Sequence, residues 1–375
     1  MQGKPEIKAL TGLRGFAALW VVAFHAFACR GFFGPLDWIA SAGYLGVDVF
    51  FVLSGFVLAL NYSEGRLNFK VFVSRRLARI YPLHAFVLLL MLVILIGLKA
   101  LGNDLIDNRI FSPRAFIESL LLIHAWKPTL VFVWNGPSWS ISAEWGAYLL
   151  FPFFLFIANR IVDRSRLFLW VCCCFLAFFL VHAIVGNHLA FAVIAGSLFT
   201  EFMAGILAYR ILTVAGVPKY ADLKAGIAIA ILFLGGNLLD TYSPIGTSGG
   251  CMPVLAFAVV FWLSSADGPI GHFFESNLMV HLGRISYAIY LIHAPLLLIS
   301  DYVIKEYPDA RWPIRIAAVA AALVAANYLY SLIEEPARKR IVSWLPNRTD
   351  NPEATGSFPG LLDTAGRDVR SSKPV

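Results

Sequence analysis

The 375-residue chain is 59% hydrophobic and only 14% charged, whereas a water-soluble chain carries about 25% charged residues. That balance excludes an ordinary soluble globular domain. The formal net charge of +7 does not imply a nucleic-acid partner, because the basic residues sit in short links between apolar runs, where they control membrane topology.

Crossing the hydrocarbon core takes about 20 mostly apolar residues. Ten segments meet that need, at roughly 9–29, 43–61, 80–101, 139–159, 167–185, 190–212, 223–240, 250–265, 283–303 and 313–334. The expected fold is therefore an all-α integral membrane protein of about ten transmembrane helices. The first run has no small-residue cleavage site after it, so it reads as a span and not as a removable leader. The segment 115–133 is apolar but broken by Lys127 and Pro128, and reads as a re-entrant or interfacial piece. With ten spans and both termini cytoplasmic, most lysines and arginines fall on the inner links, as the positive-inside rule requires. An eleventh span at 115–133 would reverse every later loop and spoil the bias. Residues 341–375 are polar and rich in Pro, Gly and Ser, the composition of a disordered tail. Of the five cysteines, three adjoin in one apolar run without metal-ligand spacing, so neither a zinc site nor a disulfide framework is expected.

Polar groups interrupt five of these spans. In "LTGLRGFAALWVVAFHAF", Arg14 and His25 are eleven residues apart. They return to within about 20° of one helix face, with a rise of about 16 Å. Arg14 then lies near the inner surface and His25 near mid-membrane. An interfacial anchor and a satisfied histidine are the structural alternatives, but ionisable groups inside a membrane mark functional paths by default. In "GYLGVDVFFVLSGFVLAL", Asp48 needs a partner, and His25 on the preceding span is the expected one, with Asp48 orienting its ring. "FVSRRLARIYPLH" puts Arg75, Arg76 and Arg79 at the inner mouth of the third span. They serve there either as topology anchors or as guanidinium forks for phosphate. In "NGPSWSISAEWGAYLLFP", Ser140 and Glu144 are one turn apart, and Glu144 is either a capping acid or a carboxylate that meets a hydroxyl. In "HLGRISYAIYLIHAPLL", Ser286, Tyr290 and His293 share a face, with His293 near the middle.

Taken together, these residues resemble the acyltransferase-3 family of bacterial membrane O-acyltransferases. Arg14 with His25 after ten intervening residues, "GVDVFFVLSGF", "RRLARIYP", "WSISAEW" and "SYAIYLIH" carry the resemblance over about residues 8–336. It implies a transmembrane acyltransferase domain over 1–340, a cytoplasmic tail over 341–375, and a multi-pass protein of the bacterial inner membrane. It also implies transfer of an acyl group, usually acetyl from acetyl-CoA, to a sugar hydroxyl of an extracytoplasmic glycan such as an exopolysaccharide or lipopolysaccharide O-antigen. Some family members carry a C-terminal soluble domain, and this chain looks like a stand-alone member.

The resulting expectation has His25, Asp48, Glu144 and His293 as the catalytic set, with His25 the general base or the acyl acceptor. Arg14, Arg75, Arg76 and Arg79 bind acyl-CoA from the cytoplasm, its pantetheine arm running along the Arg14–His25 stripe. Ser140 and Tyr290 bind the acceptor from the outer side, together with Glu144. No metal and no resident cofactor are expected, and the partners are acyl-CoA, a surface or lipid-linked glycan and membrane lipid, not nucleic acid. The rivals are a proton-coupled secondary transporter, which buried His, Asp and Glu would also suit, and a non-catalytic membrane scaffold. No inverted halves are visible, as the motifs load onto spans one to four and nine.

Overall fold

The computed structural model of the chain describes residues 6–28, 32, 34, 37–65, 67–102, 109–127, 132–185, 190–239 and 252–346. Its order is α1 (Lys8–Phe27), α2 (Asp37–Ser41), α3 (Gly46–Tyr62), α4 (Phe69–Ala100), α5 (Pro113–Leu120), α6 (Trp139–Arg160) and α7 (Arg164–Val185). Then follow α8 (Ala190–Ala215), α9 (Ala221–Leu239), α10 (Met252–Leu263), α11 (Pro269–Glu275), α12 (Asn277–Glu306), α13 (Arg311–Leu329) and α14 (Glu335–Ser343). No strand occurs among the described residues. Each of the ten expected spans coincides with a helix. Eight helical stretches are long and apolar enough to cross a membrane, and α10 is a shorter apolar helix.

Helix starts follow local chemistry. The side chain of Asn68 accepts from Val71 N to start α4, Ser112 accepts from Ala115 N with Pro113 in the first turn of α5, and Ser276 accepts from Met279 N at the start of α12. The α4 helix begins eleven residues before the expected start at 80, since nothing between the Asn68 cap and Pro82 interrupts helix. It therefore carries the whole arginine cluster as an extension of the span. Among the described residues, the 115–133 segment holds no helix long enough to cross a membrane. It forms the two-turn α5 and then turns. Ser142 holds it against α6, donating to Leu122 O at 2.7 Å and accepting from Ala125 N at 3.1 Å. At the other end α14 reaches Ser343, three residues past the expected domain end at 340. From 347 onward the expected tail lies outside the described residues.

Large apolar side chains on the outer faces stay exposed, among them Val93, Ile96, Phe153, Leu169, Leu176 and Leu180. They form the lipid-facing surface of a helical membrane bundle, because chain hydrocarbon that water would reject sits well in lipid.

Small residues set the inner packing. Helices α1 and α12 pack parallel along their lengths: Gly15 lies beside Gly283, and ten residues further on the ring of His25 lies beside that of His293. A Cβ on Gly283 would stand 1.9 Å from Thr11 O, so only glycine admits this approach. Helix α3 runs antiparallel to α1, with Gly43 against Trp20 and Gly46 against Ala17. Helix α8 runs parallel to α3: Gly205 touches Val52, and the ring of Tyr209 meets that of Phe56. Helix α4 runs parallel to α12, since Tyr287 meets Ile80 and, further on, Leu298 packs against the cluster that holds Leu88, Met91 and Leu95. Helix α6 runs against them, with Ser140 at the level of Tyr290 and Tyr148 at the level of Arg76.

Candidate active site

Five helices thus place polar side chains on one axis, in three layers. The first is the arginine layer. Nε and Nη2 of Arg14 donate to Gly283 O at 3.0 and 2.7 Å, an oxygen that the close α1–α12 packing leaves within reach. Arg79 Nη1 pairs at 2.9 Å with Glu334, a carboxylate that is only 1% exposed. Glu334 sits in a π-helical turn, Tyr330–Glu334, between α13 and α14, which swings it towards α4. Arg76 is treated differently. Its guanidinium lies 5.9–6.0 Å from the ring centres of Tyr62, Phe72 and Tyr148, a cation–π cage, and no carboxylate pairs with it among the described residues. Arg75 turns away from the cluster and donates to Pro346 O at 3.2 Å. The four arginines expected to form one phosphate site therefore have four different environments.

The second layer is built on α6, whose Ser140, Glu144 and Tyr148 follow one another at one-turn intervals. Glu144 Oε1 accepts from Ser54 Oγ at 2.5 Å and from Tyr148 OH at 2.6 Å. Glu144 lies one turn nearer the arginine layer than Ser140 does, between the cage of Arg76 and the histidines. Ser140 itself joins Tyr290: their hydroxyls are 2.7 Å apart, and Tyr290 OH donates to Pro137 O at 3.0 Å.

The third layer holds His25 and His293, ring centres 5.1 Å apart. Nδ1 of His25 donates to Val21 O at 2.9 Å. Nδ1 of His293 donates to Ile289 O at 3.2 Å, and its buried Nε2 has no partner. In each ring the bond to a carbonyl requires the proton on Nδ1, which leaves Nε2 as a lone pair. The expected Asp48–His25 pair is not formed. The carboxyl of Asp48 interacts with that of Glu201 on the parallel helix α8, because α3 presents Asp48 away from α1.

The structure brings together Arg14, Arg76, Arg79, Glu144, Ser140, Tyr290, His25 and His293, and leaves Arg75 and Asp48 off the axis. Sequence reading missed Glu334 and Glu201, two acids inside apolar runs whose burial was the available signal. It also missed Ser54 and Tyr148, which carry no charge. Among the described residues no group of three or more His, Cys, Asp or Glu is arranged to hold a metal.

An Acyl_transf_3 family model, described as an acyltransferase domain, matches residues 7–331. The chain is 29% identical to acyltransferase MdmB of Streptomyces mycarofaciens, over 95% of this chain and 98% of that protein. It is 25% identical to O-acetyltransferase OatA of Staphylococcus aureus over 89% of this chain, and the match takes in 57% of OatA. A third relative, protein 2 in the picA locus of Rhizobium radiobacter, is 36% identical over 39% of this chain and 78% of its own length. No solved structure matches. A family model that covers nearly all of the helical bundle decides between the enzyme and the transporter that buried acids and histidines would also suit: the chain belongs to the acyltransferase-3 family, and is a multi-pass membrane acyltransferase.

Proposed function

We propose that the protein transfers an acetyl group from cytoplasmic acetyl-CoA to a sugar hydroxyl of a cell-surface glycan, from the bacterial cytoplasmic membrane. The observation that carries this reading is the Nε2 lone pair of His25, held toward the axis by the Val21 bond and about 16 Å along α1 from Arg14. The CoA head binds at the arginine layer, with Arg76 its main phosphate contact. Its pantetheine arm follows the stripe and brings the thioester to His25. Nε2 of His25 takes the proton of the attacking hydroxyl, the hydroxyl oxygen forms the ester bond, and the C–S bond breaks. CoA leaves as thiolate and recovers the proton from His25. His293, with its own Nε2 lone pair facing the same space, shares the proton while His25 carries it. An acetyl-histidine intermediate would draw on the same Nε2 lone pair.

Helix directions support the ten-span arrangement. Helices α1, α4 and α12 point one way and α3, α6 and α8 the other, as alternate crossings require. Since α8 and α12 point oppositely, an even number of crossings lies between them, and in this reading α9 and α10 supply one each. Both termini then lie on the side of the arginine layer, where acetyl-CoA is made.

The test replaces His25 with alanine in the native host. Glycan acetylation should fall by about a hundred- to ten-thousandfold while the protein reaches the membrane at normal abundance, read as loss of the acetyl mass step on the isolated glycan. Undiminished acetylation at normal abundance overturns the role of His25.

A further inference from the structure

Beyond His293 the axis continues into groups that no step above uses. Asn135 Nδ2 donates to Leu291 O at 2.9 Å, two residues before His293. Asn135 O accepts from Ser138 Oγ at 2.7 Å, and Ser138 Oγ stands 3.2 Å from His124 Nε2. His124 lies close enough to His84 for their charges to interact, and His84 Nε2 donates to Ser119 O at 2.8 Å.

The direction of each bond decides what is left over. The Ser138 hydroxyl proton is spent on Asn135 O, so His124 Nε2 is the donor to Ser138 and its Nδ1 is a lone pair. His84 donates from Nε2, so its Nδ1 is likewise a lone pair. Asn135 has donated from Nδ2, and its Oδ1 remains. These three acceptor atoms and His293 Nε2 are all buried and without a hydrogen-bond partner. The residues that carry them are at most 2% exposed. Burial, followed by the nearby His84 and Lys127, holds His124 down to about 3, so it stays neutral and keeps its lone pair at any physiological pH. A buried acceptor without a donor is costly. Four such acceptors, with the equally unpartnered Ser119 hydroxyl beside His84, are a set of groups that a ligand rich in O–H groups would satisfy.

We infer that His293, Asn135, His124 and His84 form the acceptor-binding track, which takes a polyhydroxylated substrate through its hydroxyl protons and delivers one hydroxyl to His25. This deepens the proposed function and rests on it: the track specifies a polyol or sugar in preference to an amine or a simple aliphatic alcohol. An ammonium donor would lack the several outlying donors needed to satisfy the set, and a simple alcohol offers only one. Asn135, His124 and His84 act in this scheme as positioning and specificity residues, and bind no part of CoA.

The experiment uses the full chain purified in detergent, with Asn135→Leu, His124→Phe and the conservative His124→Gln. Three quantities are read: acetyl-CoA binding, acetyl-CoA hydrolysis with water as acceptor, and transfer of labelled acetyl into membranes of the native host lacking its own copy of the protein. Expected is loss of transfer by roughly tenfold in Asn135→Leu and His124→Phe, with donor binding and hydrolysis near wild type and partial recovery in His124→Gln. Parallel loss of all three activities in both Asn135→Leu and His124→Gln overturns the inference in favour of a packing role. Unchanged transfer in Asn135→Leu and His124→Phe overturns it as well. Wild-type protein that binds acetyl-CoA but labels no hydroxyl in those membranes overturns instead the transfer reading beneath it.

Discussion

The arginine layer and the histidine layer lie at two heights along the α1–α12 pair, yet they handle polar groups in opposite ways. At the arginine layer the guanidiniums bond within the protein: Arg14 to the carbonyl of Gly283 and Arg79 to Glu334, while Arg75 turns away to Pro346 O. Only Arg76 faces aromatic rings without a carboxylate. At the histidine layer the donors are consumed and the acceptors are left over, at His25, His293 and onward through Asn135. The contrast separates building from function. A polar group whose bonds close on the protein holds helices together, and one left open along the axis is available to substrate.

Substituting the open and the closed arginine breaks this comparison most strongly. Arg76→Gln should weaken acetyl-CoA binding by about ten- to a hundredfold, the loss of one charge-assisted contact, and flatten its salt dependence. Titration of acetyl-CoA into purified protein at low and high salt checks this, and equal binding by wild type and variant would make Arg76 a mere topology anchor. Arg79→Gln should act on the fold instead. It leaves Glu334 buried without its partner, a loss of up to about 3–5 kcal/mol, visible as a lower melting temperature in detergent. Glu334→Gln in the same chain should restore much of that stability. If Arg79→Gln melts like wild type and loses donor binding, the division between the two arginines is wrong.

The smallest effect sharpens the histidine side. Because Asp48 interacts with Glu201 and not with His25, Asp48→Asn should change acyl transfer by less than about threefold. A drop as deep as that of His25→Ala would show that Asp48 reaches the catalytic ring after all.

Much of this architecture is legible in the residues. Ten apolar runs coincide with ten helices, and the described residues of 115–133 hold no helix long enough to cross a membrane. The eleven-residue interval from Arg14 to His25 does put both on the axis, as does the turn-by-turn spacing of Ser140 and Glu144. Partner choice was less legible. Asp48 had two neighbours of suitable chemistry, one on α1 and one on α8, and only the rotation of α3 decides between them. The place of Glu144 on its helix was readable from its distance to the helix start, but not that Ser54 and Tyr148 are its partners.

What the sequence determines by itself is therefore local: which stretches enter a membrane, where a helix begins, and which side chains share a face. These follow from hydrocarbon length, capping and the 3.6-residue repeat, all of which act within one helix. The tertiary structure alone decides which arginine is neutralised, which acid meets which neighbour, and that acceptors gather beyond His293. Those outcomes depend on helix pairs brought within van der Waals reach by glycines far apart in the chain, as Gly15 and Gly283 are, and in lipid such close packing, not a hydrophobic force between helices, selects the neighbour.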